Sequence, residues 1–241
     1  MIKHLVSLLF DSVPQKHDKN LEKLLSLVSK CESSSLIVAP EVFLGGFDYE
    51  NLDSLLDLAP LATAKLKEVS QDRIIVTTML ERSGDEIYNF AKVFYGGEVV
   101  HQRAKAKLFR FGDEHKYMSE GSFDEVEIIE VAGIKLGVVI CFELRFKELW
   151  QQLEGCDIIA VTAWWGEARS QNFASLTNAL AIINQCFIVA SDSQNRSCTA
   201  LSGIVDPFGI EVRNGKDEIK SVEFSKKRIE SMRRYMNVGI K

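Results

Sequence analysis

The sequence is poor in residues that mark linkers and domain boundaries. Only four prolines occur in 241 residues, and there is no Ser/Gly-rich stretch, low-complexity tract or block of like charge. With 46% hydrophobic and 26% charged residues, the composition is that of a globular chain long enough to bury a large core. We therefore predict one domain over residues 1–241.

The chain also lacks the features of nucleic-acid-binding, membrane and secreted proteins. Its net charge of −5 provides no basic face for phosphates, and no apolar run approaches the length of a membrane span. The apolar run near the N-terminus is too short for a signal peptide and turns polar at Asp11. We expect no nucleic-acid partner, no membrane partner and a cytoplasmic location.

Cysteine usage and missing motifs narrow the chemistry further. The five cysteines are odd in number, widely spaced and form no C-x-x-C pair, which predicts a reducing compartment without disulfides or structural zinc. The motifs G-x-G-x-x-G, H-E-x-x-H and G-x-S-x-G, the P-loop and the EF-hand loop are absent. A thiol, carboxylates and lysines remain as candidate reactive groups, and we expect neither a cofactor nor a metal.

What the chain does contain is a series of short β-branched runs separated by helical patterns. The runs include "SLIVAP", "DRIIVTTML", "KLGVVIC" and "CFIVAS", and several are uninterruptedly apolar, as strands covered on both faces must be. The glycine-bearing turns "YGGE" and "RNGK" predict two hairpins between successive strands. This mixture predicts α/β layers with mixed strand directions.

Polar residues with reactive side chains follow four of the predicted strands. Glu41 comes after "SLIVAP", Lys105 and Lys107 after "VVHQRA", Cys141 after "KLGVVI", and Arg169 after "DIIAVTAWW". Because ligands of α/β sheets bind at the carboxyl ends of the strands, these side chains can converge from distant parts of the sequence.

Each of these residues also has an ordinary structural interpretation. A cysteine in an apolar run is usually a small core residue, and a glutamate after a strand is usually solvated. Lysines spaced two apart, such as Lys105 and Lys107, commonly form the wet face of an edge strand. Glu114 in "GDEH" could be a simple loop acid. Function is therefore indicated by the set of residues rather than by any one of them.

As a set, these stretches resemble the motifs of the nitrilase superfamily of carbon-nitrogen hydrolases over nearly the whole chain. "APEVFLGGF" resembles the glutamate motif, "RAKAKLF" the lysine motif R-K-x-H-L-F, and "CFELRFKEL" the cysteine motif C-Y-D-x-R-F-P-E-L. The resemblance implies a Glu-Lys-Cys triad of Glu41, Lys105 and Cys141. Lys107 stands in the place of the motif's histidine.

Two further loops are similar to those of the omega-amidases. "LFRFGDEHKYMSEG" resembles L-F-x-x-x-x-E-H-x-x-Y, and "AWWGEAR" resembles A-N-W-P-x-x-R. The match implies that Glu114 is the second glutamate of the site and that Trp165 and Arg169 belong to the substrate loop. Trp164 stands where that pattern has asparagine, and Gly166 where it has proline.

A departure from the family pattern lies in "ALAIINQ", which corresponds to A-R-A-x-E-N-Q. Leu180 and Ile183 replace an arginine and a glutamate there. Losing both members of what looks like a charge pair predicts a compensated change in the core rather than an inactive site.

The resemblance implies a fold and a chemical task for each residue. The fold is the four-layer αββα sandwich, and Glu41 serves as the base that activates the Cys141 thiol and later protonates the leaving ammonia. Lys105, with a backbone N–H next to the cysteine, holds the oxyanion of the adduct. Glu114 orients either the hydrolytic water or the substrate amide.

The implied substrate is a small ω-amide of a dicarboxylic acid, such as 2-oxoglutaramate or 2-oxosuccinamate, cleaved through a cysteine thioester. Arg169 is the candidate partner for its carboxylate, with Tyr117, Phe142 and Trp165 as further substrate-binding candidates. Trp164 and Trp165 could be pocket walls or core. The family resemblance also implies a homodimer or a higher homo-oligomer.

Three other readings stay open at this stage. Within the superfamily, the chain could cleave an N-carbamoyl amide, a peptide-like amide of the deaminated-glutathione type, or a nitrile. It could instead be a non-catalytic binding protein, for which Lys107 and the lost charge pair argue. A redox sensor based on Cys141 is the third reading, but no second cysteine lies at resolving distance in the sequence.

Overall fold

The computed structural model of the protein describes residues 1–195 and 197–240. This part of the chain forms five α-helices, α1 (His17–Ser29), α2 (Leu52–Val69), α3 (Lys147–Gln152), α4 (Ser170–Asn184) and α5 (Lys226–Tyr235). Its twelve strands are β1 (His4–Leu8), β2 (Ser35–Val38), β3 (Ile74–Ser83), β4 (Glu86–Tyr95), β5 (Glu98–Ala104), β6 (Ile129–Val131), β7 (Ile134–Ile140), β8 (Ile158–Thr162), β9 (Phe187–Ser191), β10 (Gly203–Val205), β11 (Glu211–Arg213) and β12 (Ile219–Glu223). No helix within these two described ranges is both long and apolar enough to cross a membrane.

The strands form two six-stranded sheets of mixed direction. The first has the order β12-β1-β2-β3-β4-β5 and the second the order β11-β10-β9-β8-β7-β6. Three adjacent strands in each sheet are parallel, β1-β2-β3 in the first and β7-β8-β9 in the second. Parallel strands end at a common edge, so the residues that follow β2, β7 and β8 are available to build one site.

The two sheets face each other, and helices cover their outer faces. Leu36 and Val76 of the first sheet belong to the same buried core as Val138 of the second. On its other face the first sheet packs against α1 and α2, for example through Ile37 and Leu24. Helices α3 and α4 pack on the second sheet. This arrangement confirms the predicted αββα sandwich, and one domain over residues 1–241 stays a prediction.

One of the two predicted hairpins is confirmed and the other is wrong. Strands β4 and β5 pair antiparallel across Gly96 and Gly97, whose φ angles are +61° and +80°. The "RNGK" stretch instead joins different sheets, because β11 is the edge of the second sheet whereas β12 pairs with β1. Asn214 fixes this crossing, since its Nδ2 donates to Ser7 O (3.2 Å) and its backbone N–H to Ser202 O (2.8 Å).

The predicted core change on α4 is half right. Leu180 is fully buried, as the replacement of a charged residue in the core requires. Ile183 is 57% exposed, so the prediction is wrong for this residue, which lies on the solvent side of the helix. The Ile183 side chain therefore does not replace a buried charge in the core.

Candidate active site

The structure brings the ends of β2, β5, β7 and β8 to one place. Lys105 directly follows β5, Cys141 directly follows β7, and Glu41 lies three residues after β2. The backbone N–H of Glu41 donates to Ala163 O at 3.2 Å, which joins the end of a strand in the first sheet to the end of a strand in the second. The site therefore lies where the edges of both sheets meet.

A buried cluster of two carboxylates and one ammonium forms the centre of the site. Lys105 Nζ donates to Glu41 Oε1 at 2.7 Å and to Glu114 Oε1 at 2.8 Å, and all three side chains are buried. Glu41 has two more donors, with Asn89 Nδ2 at 2.8 Å from Oε1 and the Trp164 backbone N–H at 3.1 Å from Oε2. These contacts hold the carboxylate in one orientation.

Cys141 has a strained backbone at the start of a short 3₁₀ turn, Cys141–Arg145, which precedes α3. Its φ of +44° lies in the left-handed region that non-glycine residues rarely adopt, and such strain clusters at functional sites. Glu143 holds this turn, because it accepts from the Ile140 N–H (2.8 Å), the Ala106 N–H (2.7 Å) and both Nη atoms of Arg103. A buried ion pair to Arg103 and a hydrogen bond from Ala106 thus tie the cysteine turn to the chain on both sides of Lys105.

Burial and neighbouring charges shift the pKa values in this cluster. Burial, reinforced by the Glu41 carboxylate, raises the pKa of the Cys141 thiol well above its usual range. Burial also raises the pKa of Glu41, although the Lys105 ammonium acts to lower it. For Lys105, burial acts to lower the pKa, but the carboxylates of Glu41 and Glu114 outweigh it and the net shift is upward. The resting thiol therefore keeps its proton beside a carboxylate of raised basicity, as a general base requires.

The space around the thiol, here called the thiol cavity, has a volume of about 20 Å³. It holds about one water molecule. Its lining residues are Phe109, Cys141, Phe142, Arg145, Trp164, Trp165 and Arg169, so three of the four predicted substrate-binding residues lie there.

Tyr117, the fourth predicted substrate-binding residue, lies in a neighbouring groove of about 430 Å³. Phe47, Tyr49, Glu50 and Trp164 also line this aromatic groove. The Tyr117 ring stacks on that of Tyr49 with 3.8 Å between the ring centroids. Tyr117 is therefore separated from the thiol cavity, which it does not line.

Two guanidinium groups border the thiol cavity, those of Arg145 and Arg169, of which only Arg169 is predicted from the sequence. Arg169 Cζ lies 5.0 Å from the centre of the Phe109 ring, and Arg145 Cζ lies 4.9 Å from that of Trp165. Arg145 also donates to Asn172 Oδ1 at 2.9 Å. Neither arginine has a carboxylate partner among residues 1–195 and 197–240. Arg145 could have been found from the sequence, since it is the arginine of the cysteine motif.

Lys107 points away from this centre. Its Nζ lies 4.6 Å from the centre of the Phe123 ring, whereas the Lys105 Nζ lies between the carboxylates. Asn89 was not predicted from the sequence, where its one signal is a polar residue at the start of the strand segment "NFAKVF". In the described part of the chain, no three His, Cys, Asp or Glu side chains are grouped so that they could hold a metal ion. A reaction without metal stays a prediction.

Comparison with known proteins gives a matching family model and several similar proteins. A sequence model of the carbon-nitrogen hydrolase family matches residues 11–234. A 2-oxoglutaramate amidase of Bacillus subtilis is 30% identical over 222 residues, which cover 87% of this chain and 85% of that protein. The omega-amidase YafV of Escherichia coli is 30% identical over 182 residues, or 72% and 70% of the two chains. The crystal structure of a CN-hydrolase superfamily protein of Xanthomonas campestris superposes with a TM-score of 0.86 at 22% identity, covering 98% of this chain and 96% of that one.

Proposed function

The chain belongs to the carbon-nitrogen hydrolase family, and we propose that it releases ammonia from a small ω-amide of a dicarboxylic acid. One observation carries the proposal: the thiol cavity combines the cysteine next to the buried Glu-Lys-Glu cluster with two arginines. A molecule with an amide at one end and a carboxylate at the other matches that combination. We propose 2-oxoglutaramate or 2-oxosuccinamate as the preferred substrate.

In the first step, the Cys141 sulfur attacks the amide carbon while its proton passes to Glu41. A C–S bond forms and the carbonyl oxygen becomes negatively charged. An ammonium has three N–H groups, and Lys105 uses two of them on Glu41 and Glu114. The third can donate to the oxyanion, which is the type of interaction that stabilises such a transition state most.

In the second step, the C–N bond breaks and Glu41 returns its proton to the leaving ammonia. Water then attacks the thioester, which releases the acid and restores the Cys141 thiol. Glu114 already accepts from Lys105 through Oε1 and from the Phe109 N–H (2.9 Å) through Oε2. Since each carboxylate oxygen can accept more than one hydrogen bond, Glu114 can also orient the water or the substrate amide.

The first test is an ammonia-release screen with ω-amides, N-carbamoyl amino acids, a peptide-like amide of the deaminated-glutathione type and nitriles. We expect the highest kcat/KM for the ω-amides of four- and five-carbon dicarboxylic acids. Faster turnover of another class would replace the proposed substrate, and no turnover of any class would favour a non-catalytic protein.

A second test concerns the carboxylate of the substrate. Replacing Arg145 or Arg169 by alanine should raise KM for the acidic ω-amide by about 10- to 100-fold, the effect of losing a charged hydrogen bond. KM for a neutral amide of the same length should stay the same. Arg110→Ala is a matched control, because this exposed arginine lies near the site and does not line the thiol cavity. Equal effects on acidic and neutral amides would exclude carboxylate binding by the arginines.

Intact-protein mass spectrometry separates the two chemical steps. Glu41→Gln should show no acyl adduct with substrate, because the thiol is never activated. Glu114→Gln should accumulate an adduct on Cys141 if Glu114 orients the water, and should stay unmodified if it orients the amide. Wild-type rates with Glu114→Ala would remove this residue from the mechanism.

We also propose that the protein forms a homodimer or a higher homo-oligomer. The exposed side chain of Ile182 near the end of α4 lies next to Gly209, between the exposed Phe208 and Ile210, and the exposed Ile183 follows Ile182 in the chain. Contiguous exposed apolar surface is typical of interfaces. Light scattering should give a mass of at least two chains, and Ile183→Glu should reduce it. A monomer at tens of micromolar would contradict the proposal.

A further inference from the structure

Trp164 lies between the thiol cavity and the aromatic groove and lines both of them. The cavity has a volume of about 20 Å³ and the groove about 430 Å³. The indole is therefore the wall that separates the nucleophile from a space of ligand size, since small-molecule sites have volumes of roughly 300–1,000 Å³.

The position of the indole is fixed on both sides. A Cβ at Gly46 would overlap Trp164 Cη2, so the ring rests directly on the glycine backbone, whose φ is +67°. The Phe47 ring contacts the indole edge to face, with 6.1 Å between the ring centroids. The backbone N–H of Trp164 donates to Glu41 Oε2 at 3.1 Å. Side-chain substitutions at this position can therefore remove the wall while they leave the backbone donor to Glu41 in place.

The two spaces differ in chemical character. Arg145 and Arg169 give the thiol cavity positive charge. The aromatic groove is lined by rings and by the carboxylates of Asp48 and Glu50, of which Glu50 is exposed. The buried Tyr49 hydroxyl of the same groove has no hydrogen-bond partner among the described residues. An acidic acyl group is attracted to the cavity and repelled by the groove, whereas a neutral aromatic group would suit the groove.

We propose that Trp164 determines acyl-group specificity, because its indole closes the aromatic groove to the thiol and leaves space for short acidic acyl groups on the arginine side alone. The inference rests on the proposed function and names the substrate class of the same site. A substrate larger than the cavity needs space on that side, where Arg145 is exposed and Arg169 half-buried, because the indole is fixed against Gly46. The asparagine that the omega-amidase loop pattern has at this position is too small to fill the same space.

The kinetic test compares the acidic amide 2-oxoglutaramate with the neutral aromatic amide 3-phenylpropionamide. In Trp164→Ala, the ratio of kcat/KM for the aromatic amide to that for the acidic amide should rise at least tenfold over the wild type. Trp164→Phe should give a smaller rise and serves if the alanine variant does not fold. Trp150→Phe is the matched control, because Trp150 lines neither space, and its ratio should equal that of the wild type.

A second measurement does not depend on turnover of any amide. Mass spectrometry would follow the alkylation of Cys141 by iodoacetamide, which is small, and by N-phenylmaleimide, which is bulky, with Cys141→Ser as the background for the other thiols. Trp164→Ala should raise the maleimide rate relative to the iodoacetamide rate at least tenfold. An unchanged alkylation ratio would overturn the inference, as would an unchanged kinetic ratio in an active enzyme. A wild type that cleaves no amide would refute the proposed function instead, and the alkylation ratio would then decide the role of Trp164.

Discussion

One prediction follows from Lys105, whose ammonium lies between two buried carboxylates. In Lys105→Met, Glu41 and Glu114 lose the ammonium that lies 2.7 and 2.8 Å from their oxygens. Removing one partner of a buried ion pair destabilises a protein by about 3–5 kcal/mol. For a chain of this size, that corresponds to a fall in Tm of roughly 6–20 °C. Lys107→Met makes the same chemical change two residues away and should leave Tm nearly unaltered.

The double variant Lys105→Met/Glu114→Gln separates stability from chemistry. It removes one of the two carboxylates that repel each other, so it should recover roughly 2 kcal/mol of the lost unfolding free energy, within the range of coupling between contacting residues. It should not recover activity. Loss of an oxyanion donor lowers kcat by about 10²- to 10³-fold in both variants.

The stability of the single variant Lys105→Met should depend on pH with a definite sign. The pKa of Glu41 is raised above its value of 4.5 in the unfolded chain, so its favourable contribution is complete below that value and is lost as the pH rises through the folded-state pKa. Lys105 acts to lower this pKa, and its removal raises it further. The stability gap between wild type and Lys105→Met should therefore narrow from pH 8 to pH 5.

Urea unfolding of the wild type and of Lys105→Met at several pH values measures the difference in their free energies of unfolding directly. A loss below about 1 kcal/mol at pH 8 would be in the range of an exposed ion pair and would refute the burial of the cluster. A gap that widens toward pH 5 would refute the assigned charges. Ammonia release by the double variant at the wild-type rate would remove Lys105 from the chemistry.

Three further predictions concern the neighbouring residues. Cys141→Ala should abolish ammonia release in a folded protein. Cys141→Gly should be more stable than Cys141→Ala by roughly 1 kcal/mol, because glycine adopts the positive φ of this position without strain. A higher Tm for the alanine variant would contradict this. Lys107→Ala should keep kcat/KM close to that of the wild type. A loss as large as that of Lys105→Ala would contradict the assignment of the catalytic role to Lys105 alone. Glu143→Gln should lower the free energy of unfolding by about 3–5 kcal/mol, because it leaves the Arg103 guanidinium buried without a carboxylate; urea unfolding with no change would show that this ion pair contributes nothing.

Sequence patterns predicted the layered sheets, and the structure brings the predicted Glu41, Lys105 and Cys141 together at one place. Apolar runs mark the buried strands β2 and β7, and Glu41 and Cys141 lie just past their ends, whereas Lys105 follows the mostly polar strand β5. A run of apolar residues has no information about its partner strand. The "RNGK" turn was for that reason assigned to a hairpin, although Asn214 sends the chain from one sheet to the other.

Residues whose role depends on distant contacts could not be placed from the sequence. Tyr117 is close to Glu114 in the chain, yet its ring stacks on Tyr49 outside the thiol cavity. Arg145 is the last residue of the 3₁₀ turn that begins at Cys141, and this turn brings its side chain to the thiol cavity. Asn89 lies in the middle of a strand, and the carboxylate that it holds comes from a loop 48 residues away in sequence.

The two lysines of "AKAK" show how the fold completes what the motif leaves open. Residues two apart lie on the same face of a strand, so a strand through both would direct Lys105 and Lys107 to the same side. Strand β5 ends at Ala104, however, and the alternation does not extend past that point. Lys105 is then drawn between two buried carboxylates, while Lys107 has the Phe123 ring as its neighbour. The buried charges therefore select one of two chemically identical side chains, which is why removing a carboxylate and removing its lysine should be coupled energetically.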